Sequence, residues 1–211
     1  GTTNINPALL AALKEKTTHP PVIQTNAITV DTVFAPQAER DAGIPDLGYH
    51  YDPIDYLVSA PVTNATVTLT NGVVIGYYDY MGFWLNNGAR LNSEGRPDQH
   101  NRLVYYSAVQ EQPVILGQYG PQLAMPLNPW HDNPAAAPEI AARFTTFIAP
   151  QRAQYTIYSG DDWEVSRLNL RDCEFYAGGF YIYGGSSNVS YELVNNLFAN
   201  VYITLGTEAG P

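Results

Sequence analysis

Asp161, Asp162, Trp163 and Glu164 form the densest chemistry in the chain, and Asp172 and Glu174 follow about one strand later. Carboxylates on neighbouring turns of a fold can coordinate Ca²⁺ or serve as the acid and base on either side of a glycosidic bond. Asp161 and Asp162 are therefore the candidate catalytic pair, and Asp161, Asp162 and Glu164 the candidate Ca²⁺ ligands. The competing reading is a solvated acidic turn. Trp163, Trp130 and Tyr119 would offer a sugar an aromatic face with a polar edge, which makes them the candidate ligand-binding residues. Trp130 and Tyr119 belong to a segment at 113–138 with six prolines, a long loop that would project over one face or pack back on it.

The remaining reactive types are sparse. His50 stands among Tyr49, Tyr51, Asp52 and Asp55, where an imidazole between carboxylates suits a metal or a raised proton affinity. Its aromatic neighbours favour a packed histidine that closes the amino-terminal end of the fold. His100 and His131 lie in loop-like sequence beside Asp and Asn and read as exposed. Lysine is confined to Lys14 and Lys16, and Arg90, Arg96, Arg102, Arg143, Arg152, Arg167 and Arg171 read as dispersed, so a lyase has no clustered base. Zinc-protease, serine-hydrolase and phosphate-loop signatures are absent from the sequence. An enzyme is the weaker expectation. Cys173, flanked by apolar positions, reads as a buried small hydrophobe.

The elements that must position these residues are constrained by composition. The 211 residues are 45% hydrophobic and 12% aromatic, enough for one continuous core. Only 14% are charged, with 20 Asp plus Glu against 10 Lys plus Arg and a net charge of −10, which excludes a nucleic-acid surface. A single cysteine rules out an intrachain disulfide and a thiolate cluster. No run of apolar residues reaches the length of a membrane span. The Tyr-, Gly- and Pro-rich, Lys-poor surface predicts an extracellular or cell-surface location, with any secretion signal removed or outside this segment.

Asn6, Pro7 and the apolar run to Lys16 predict one short helix at 8–16, with an N-cap, a proline at the first helical position and cations in the last turn. Prolines 20 and 21 stop it. Residues 22–23 and 27–30 look extended, and 36–61 irregular. From 64 onward, short β-branched and aromatic runs at 65–69, 73–78, 83–85, 90–91, 102–106, 114–116, 144–148, 155–158, 165–170, 180–183, 191–194 and 201–205 alternate with Gly, Asn and Asp. Several are too short for sandwich hairpins.

Self-comparison points to coils. The stretch 168–175 (LNLRDCEF) lies over 191–198 (YELVNNLF) at an offset of 23, and 180–183 over 201–204 at an offset of 21. A repeat of this length holding two or three strands fits one coil of a parallel β-helix, each strand pairing with its equivalent about 4.8 Å along the axis. Asn71, Asn86, Asn87, Asn195 and Asn196 are candidates for corners, where asparagine tolerates left-handed backbone and can bridge coils through its amide.

These residues also carry a resemblance. The segments DLGYHYD at 46–52, Asp55 with Tyr56, VTLTNGVVI at 67–75, GARLNSEG at 88–95 and AVQEQ at 108–112 resemble the β-helix region of large secreted or surface-anchored bacterial proteins. NNLF at 195–198 resembles the Asn-rich coil motif of right-handed parallel β-helices. Together they cover about 46–205. The resemblance implies fold and location; such regions are seldom assigned an activity, and the fold also carries pectate-lyase-like enzymes and phage tailspikes.

The expected architecture is an all-β, right-handed, single-stranded parallel β-helix at 63–211 with the Pro-rich insertion, preceded at 1–62 by a helix, an extended segment and a cap. Beyond 201–205 no cap follows in the sequence, so the open end would continue into further chain beyond 211 or associate with another copy. The expected function is an extracellular structural or adhesive unit of a surface or filament assembly. The alternative is a carbohydrate-active enzyme or polysaccharide-binding module on the same fold.

Overall fold

The computed structural model describes residues 5–40, 43, 50–78, 81–109, 125–149, 155–160, 164–184 and 189–207. It is a parallel β-helix of three sheets. Helix α1 (Pro7–Lys14) starts where Asn6 Oδ1 accepts a 2.9 Å hydrogen bond from Ala8 N and Pro7 supplies its preset backbone. None of its own residues is buried.

Among the described residues nineteen strands follow, and from β2 onward they rotate among the sheets in a fixed order. The first sheet holds β2 (Thr32–Phe34), β5 (Thr66–Thr70), β8 (Arg90–Glu94), β11 (Glu139–Arg143), β14 (Arg167–Arg171) and β17 (Ser190–Val194). The second holds β1 (Val22–Gln24), β3 (Tyr56–Val58), β6 (Val74–Tyr77), β9 (Asn101–Tyr105), β12 (Thr145–Ile148), β15 (Glu174–Tyr176) and β18 (Leu197–Ala199). The third holds β4 (Ala60–Val62), β7 (Met81–Leu85), β10 (Met125–Pro129), β13 (Tyr155–Ser159), β16 (Gly179–Gly184) and β19 (Tyr202–Thr207). Within each sheet every pairing is parallel and joins a strand to its equivalents one coil before and one coil after.

The interior is a set of axial ladders. Tyr56, Ile75, Leu103, Phe147, Phe175 and Phe198 follow one another in register. The rings of Phe147, Phe175 and Phe198 stack at 4.7 and 4.8 Å, which is the rung spacing itself. Leu168 lies over Tyr191 and Leu170 over Leu193, as the 23-residue offset predicts.

Four expectations are corrected. The second repeat alignment is shifted: Phe180 pairs with Ile203 and Ile182 with Leu205, so the last two coils share one 23-residue period. The left-handed corners keep the same step, Asp172 with Asn195 and Ala177 with Asn200. The solenoid also begins well before residue 63, because β1 to β4 already pair with later strands. Third, the expected loop at 113–138 contains β10, an internal strand between β7 and β13. Prolines 126 and 129 argue against such a strand because each removes a ladder donor; the ladder to β13 is correspondingly reduced to one aligned pair, Leu127 with Ile157. Residues 110–124, including the run at 114–116, lie outside the described residues. The fourth concerns the histidines and arginines and is given with the site below.

Polar corners secure the coils. Between the first and second sheets one inward position is filled in successive coils by Val73, Asn101, Thr145, Cys173 and Asn196. Asn196 accepts from Cys173 N and donates to Leu170 O, both at 2.9 Å. Asn101, fully buried and unforeseen from the sequence, does the same three coils earlier, accepting from Gly72 N and donating to Leu69 O at 2.9 Å. Its amide also donates to Ser93 Oγ at 3.1 Å, and Ser93 Oγ meets Thr145 Oγ1 at 2.7 Å. At another corner Gly88 has φ +69°, and a Cβ there would collide with the Asn64 side chain. Asn86 reaches Thr63, and Asn87 exchanges hydrogen bonds with Asp132.

Asn101→Ala leaves the Gly72 N–H and the Leu69 carbonyl without their side-chain partner, and we expect a loss of about 3 kcal/mol in the free energy of unfolding, read by urea denaturation. Asn86→Ala, at a partly buried and longer corner bond of 3.3 Å, serves as the milder comparison.

Candidate functional site

Of the residues singled out by sequence, Asp161, Asp162, Trp163 and Tyr119 lie outside the described residues. Glu164 is buried, and Trp130 is exposed just after β10, its N–H bonded to Leu85 O. Among the described residues no three His, Cys, Asp or Glu side chains could share a metal ion. Asp55, a neighbour of His50 in sequence, is instead a buried anchor. It accepts from Gln37 N, Ala38 N and Val74 N at 2.8 to 2.9 Å and ties the irregular segment to β6. His50 is half-buried.

The structure brings together residues that the sequence left apart. The arginines cluster: Arg90, Arg143, Arg167 and Arg171 all stand on the outer face of the first sheet, because positions on successive coils become neighbours. Glu139 faces Arg90 on one side and Arg167 on the other, and Arg143 lies between Glu94 and Arg171. Ion pairs follow from that register. Arg90 meets Glu139 at 3.3 Å, Arg143 meets Asp172 at 3.1 Å and Arg171 meets Glu192 at 2.7 Å. Asn195 and Arg143 hydrogen-bond the Asp172 carboxylate and hold it below the usual range.

Around the corner toward the second sheet, His100, Thr146, Glu174 and Tyr176 form a chain. His100 Nδ1 lies 3.0 Å from Thr146 Oγ1, which donates to Glu174 Oε2 at 3.4 Å, and Tyr176 OH donates to the same oxygen at 3.1 Å. His100 is thus half-buried and bonded, where the sequence suggested an exposed residue. His131, also expected on the surface, is buried, and neither ring nitrogen is hydrogen-bonded among the described residues.

Phe144 stands out at this corner. It occupies the left-handed position (φ 47°) filled in the next coils by Asp172 and Asn195, residue types that tolerate it, whereas a bulky side chain there is strained. Its ring lies under the Arg143 guanidinium at 4.6 Å and beside His100 at 5.9 Å. Directly beneath, Cys173 is 1% exposed, and its thiol donates to the carbonyls of Ala142 and Arg171. Burial pushes that thiol up to about 11.

A second surface is the last coil. The inward positions of β14 to β16 are sealed, with Leu170 at 0%, Phe180 at 1% and Ile182 at 5% exposed. Their successors Leu193, Ile203 and Leu205 are 39%, 44% and 65% exposed. Three strand edges there lie at the ends of their sheets. In comparisons with known proteins, no family model, no curated protein and no solved structure matches the chain.

Two outcomes are expected. Phe144→Asn removes left-handed strain at the cost of the ring contacts, for a net gain of about 0.5–1 kcal/mol in thermal or chemical unfolding. Cys173 reacts with a thiol reagent only on unfolding. Because its folded value lies above the ordinary 9.0, its contribution is complete below pH 9 and declines as pH rises toward 11; Cys173→Ala removes that part of the alkaline loss of stability.

Proposed function

We propose that this chain is a structural or adhesive unit of an extracellular surface or filament assembly, and that its last coil stacks on a coil of a second copy. The observation that carries this reading is the exposed apolar end of the column, where Leu193, Ile203 and Leu205 continue ladders that are sealed in every earlier coil. Side chains in these positions gain most when another rung of like residues covers them. Unpaired edges of parallel strands are templates for further parallel strands. Head-to-tail contact is heterologous, so it propagates into a filament unless geometry closes it.

An extracellular setting agrees with the Tyr-rich, Lys-poor composition. Among the described residues no helix is long and apolar enough to cross a membrane. The resemblance of 46–205 to the β-helix regions of surface-anchored bacterial proteins points the same way.

Light scattering after size exclusion, over a dilution series, tests the proposal. We expect mass to rise with concentration, and Leu193→Asp with Ile203→Asp to hold the chain at 23.2 kDa. These side chains are already exposed, so the double variant retains its fold, checked by its unfolding transition. A native chain that stays monomeric throughout the series overturns the reading.

A further inference from the structure

We propose that the outer face of the first sheet, with the corner leading to the second, binds a neutral oligosaccharide lying along the column axis. This is independent of the end-to-end stacking above, which uses a different surface.

Two depressions lie side by side on this face. One, of about 230 Å³, is lined by His100, Phe144, Asp172, Glu174, Asn195 and Leu197. The other, of about 300 Å³, is lined by Glu94, Ala141, Arg143, Asn169 and Arg171. The Arg143–Asp172 ion pair forms the ridge between them. Both are open and near the lower limit of small-molecule pockets, roughly 300 Å³, which suits single rings of a chain lying across the surface better than an enclosed ligand.

The floor of the second depression follows from the register. Ala141 and Asn169 line it, and Asn92, Ala141 and Asn169 occupy one outward ladder on β8, β11 and β14, so the small Ala141 side chain stands between two amides, with Asn92 just beyond the depression. Neither amide hydrogen-bonds another described residue, although both are half-buried. They stand two rungs apart, about 9.6 Å, a span comparable with two linked pyranose rings. An amide is both donor and acceptor in one plane, which matches a pair of vicinal hydroxyls.

Charge selects the class of ligand. Three of the four arginines on the face are matched, Arg143 by Asp172, Arg171 by Glu192 and Arg90 by Glu139, and Arg167 stands opposite Glu139 in register, so the face presents many hydrogen-bonding groups with little local excess charge. With the overall charge of −10, polyanions such as nucleic acids and acidic glycans are repelled. Polar and charged linings disfavour a purely apolar ligand. The Phe144 ring supplies an apolar face for the C–H side of a sugar. That ring sits where Asp or Asn would cost less, and sugar stacking gives the bulky residue a use.

A glycan array of neutral and acidic oligosaccharides, probed with the labelled chain and followed by calorimetry on retained neutral glycans, tests the proposal. We expect retention of neutral glycans, with affinity reduced about tenfold or more by Asn169→Ala and by Phe144→Asn and unchanged by Trp130→Ala. Both site variants keep the unfolding transition, Phe144→Asn with a gain, so lost binding is not lost folding. No retained neutral glycan, retention of acidic glycans alone, or binding indifferent to both site variants overturns the proposal. Self-association is read separately by light scattering and does not bear on this outcome.

Discussion

Parallel backbone pairing between each strand and its equivalent one coil away is the constraint on which the rest of the molecule depends. It forces every inward position to satisfy the position above and below it, so like residues accumulate in columns such as Leu103, Phe147, Phe175 and Phe198. Contacts are therefore between successive coils, and stability accrues coil by coil as in other solenoids. Among the described residues the inward positions Leu193, Ile203 and Leu205 of the last coil are correspondingly exposed, with no further described coil over them.

Inward polar residues obey the same rule. The corner column Val73, Asn101, Thr145, Cys173 and Asn196 mixes apolar and polar members, yet each polar one reaches back to backbone or side-chain partners in an adjacent turn. Buried polarity at this corner is satisfied by coil-to-coil hydrogen bonds and so favours one axial register. Cys173 fits because a thiol is small and needs only weak acceptors. The outer faces, free of the packing rule, vary more. On the first sheet they carry matched charges and amides, and on the second Ile54, Val74 and Val104 pack with Tyr106, Val109 and Ile148.

The fold was legible where coils are uniform. LNLRDCEF and YELVNNLF share one period without insertion, so β14, β15, β17 and β18 could be aligned by eye of residue type alone. Earlier coils hid the pattern, since Leu91 pairs with Ile140 across a long excursion and prolines disguise β10. The site was less legible still. Arg143 and Arg171, or Asn92 and Asn169, become neighbours only once the register is known, and nothing local marks them. Asn101 was missed although it opens an apolar strand much as Asn196 precedes one, because the coils between them differ in length. Positive φ at Phe144 has no sequence signal, since Asn and Asp hold the equivalent corners.

The coil-to-coil register is tested most directly by cross-linking. In a Cys173→Ala background, Asn169→Cys with Glu192→Cys places two thiols on one outward ladder of adjacent strands. Thr68→Cys with Glu192→Cys places them on the same ladder several rungs apart. A short bifunctional thiol reagent should bridge the first pair within one chain and leave the second pair unbridged. Bridging of Thr68→Cys to Glu192→Cys, with Asn169→Cys and Glu192→Cys left apart, would contradict the solenoid.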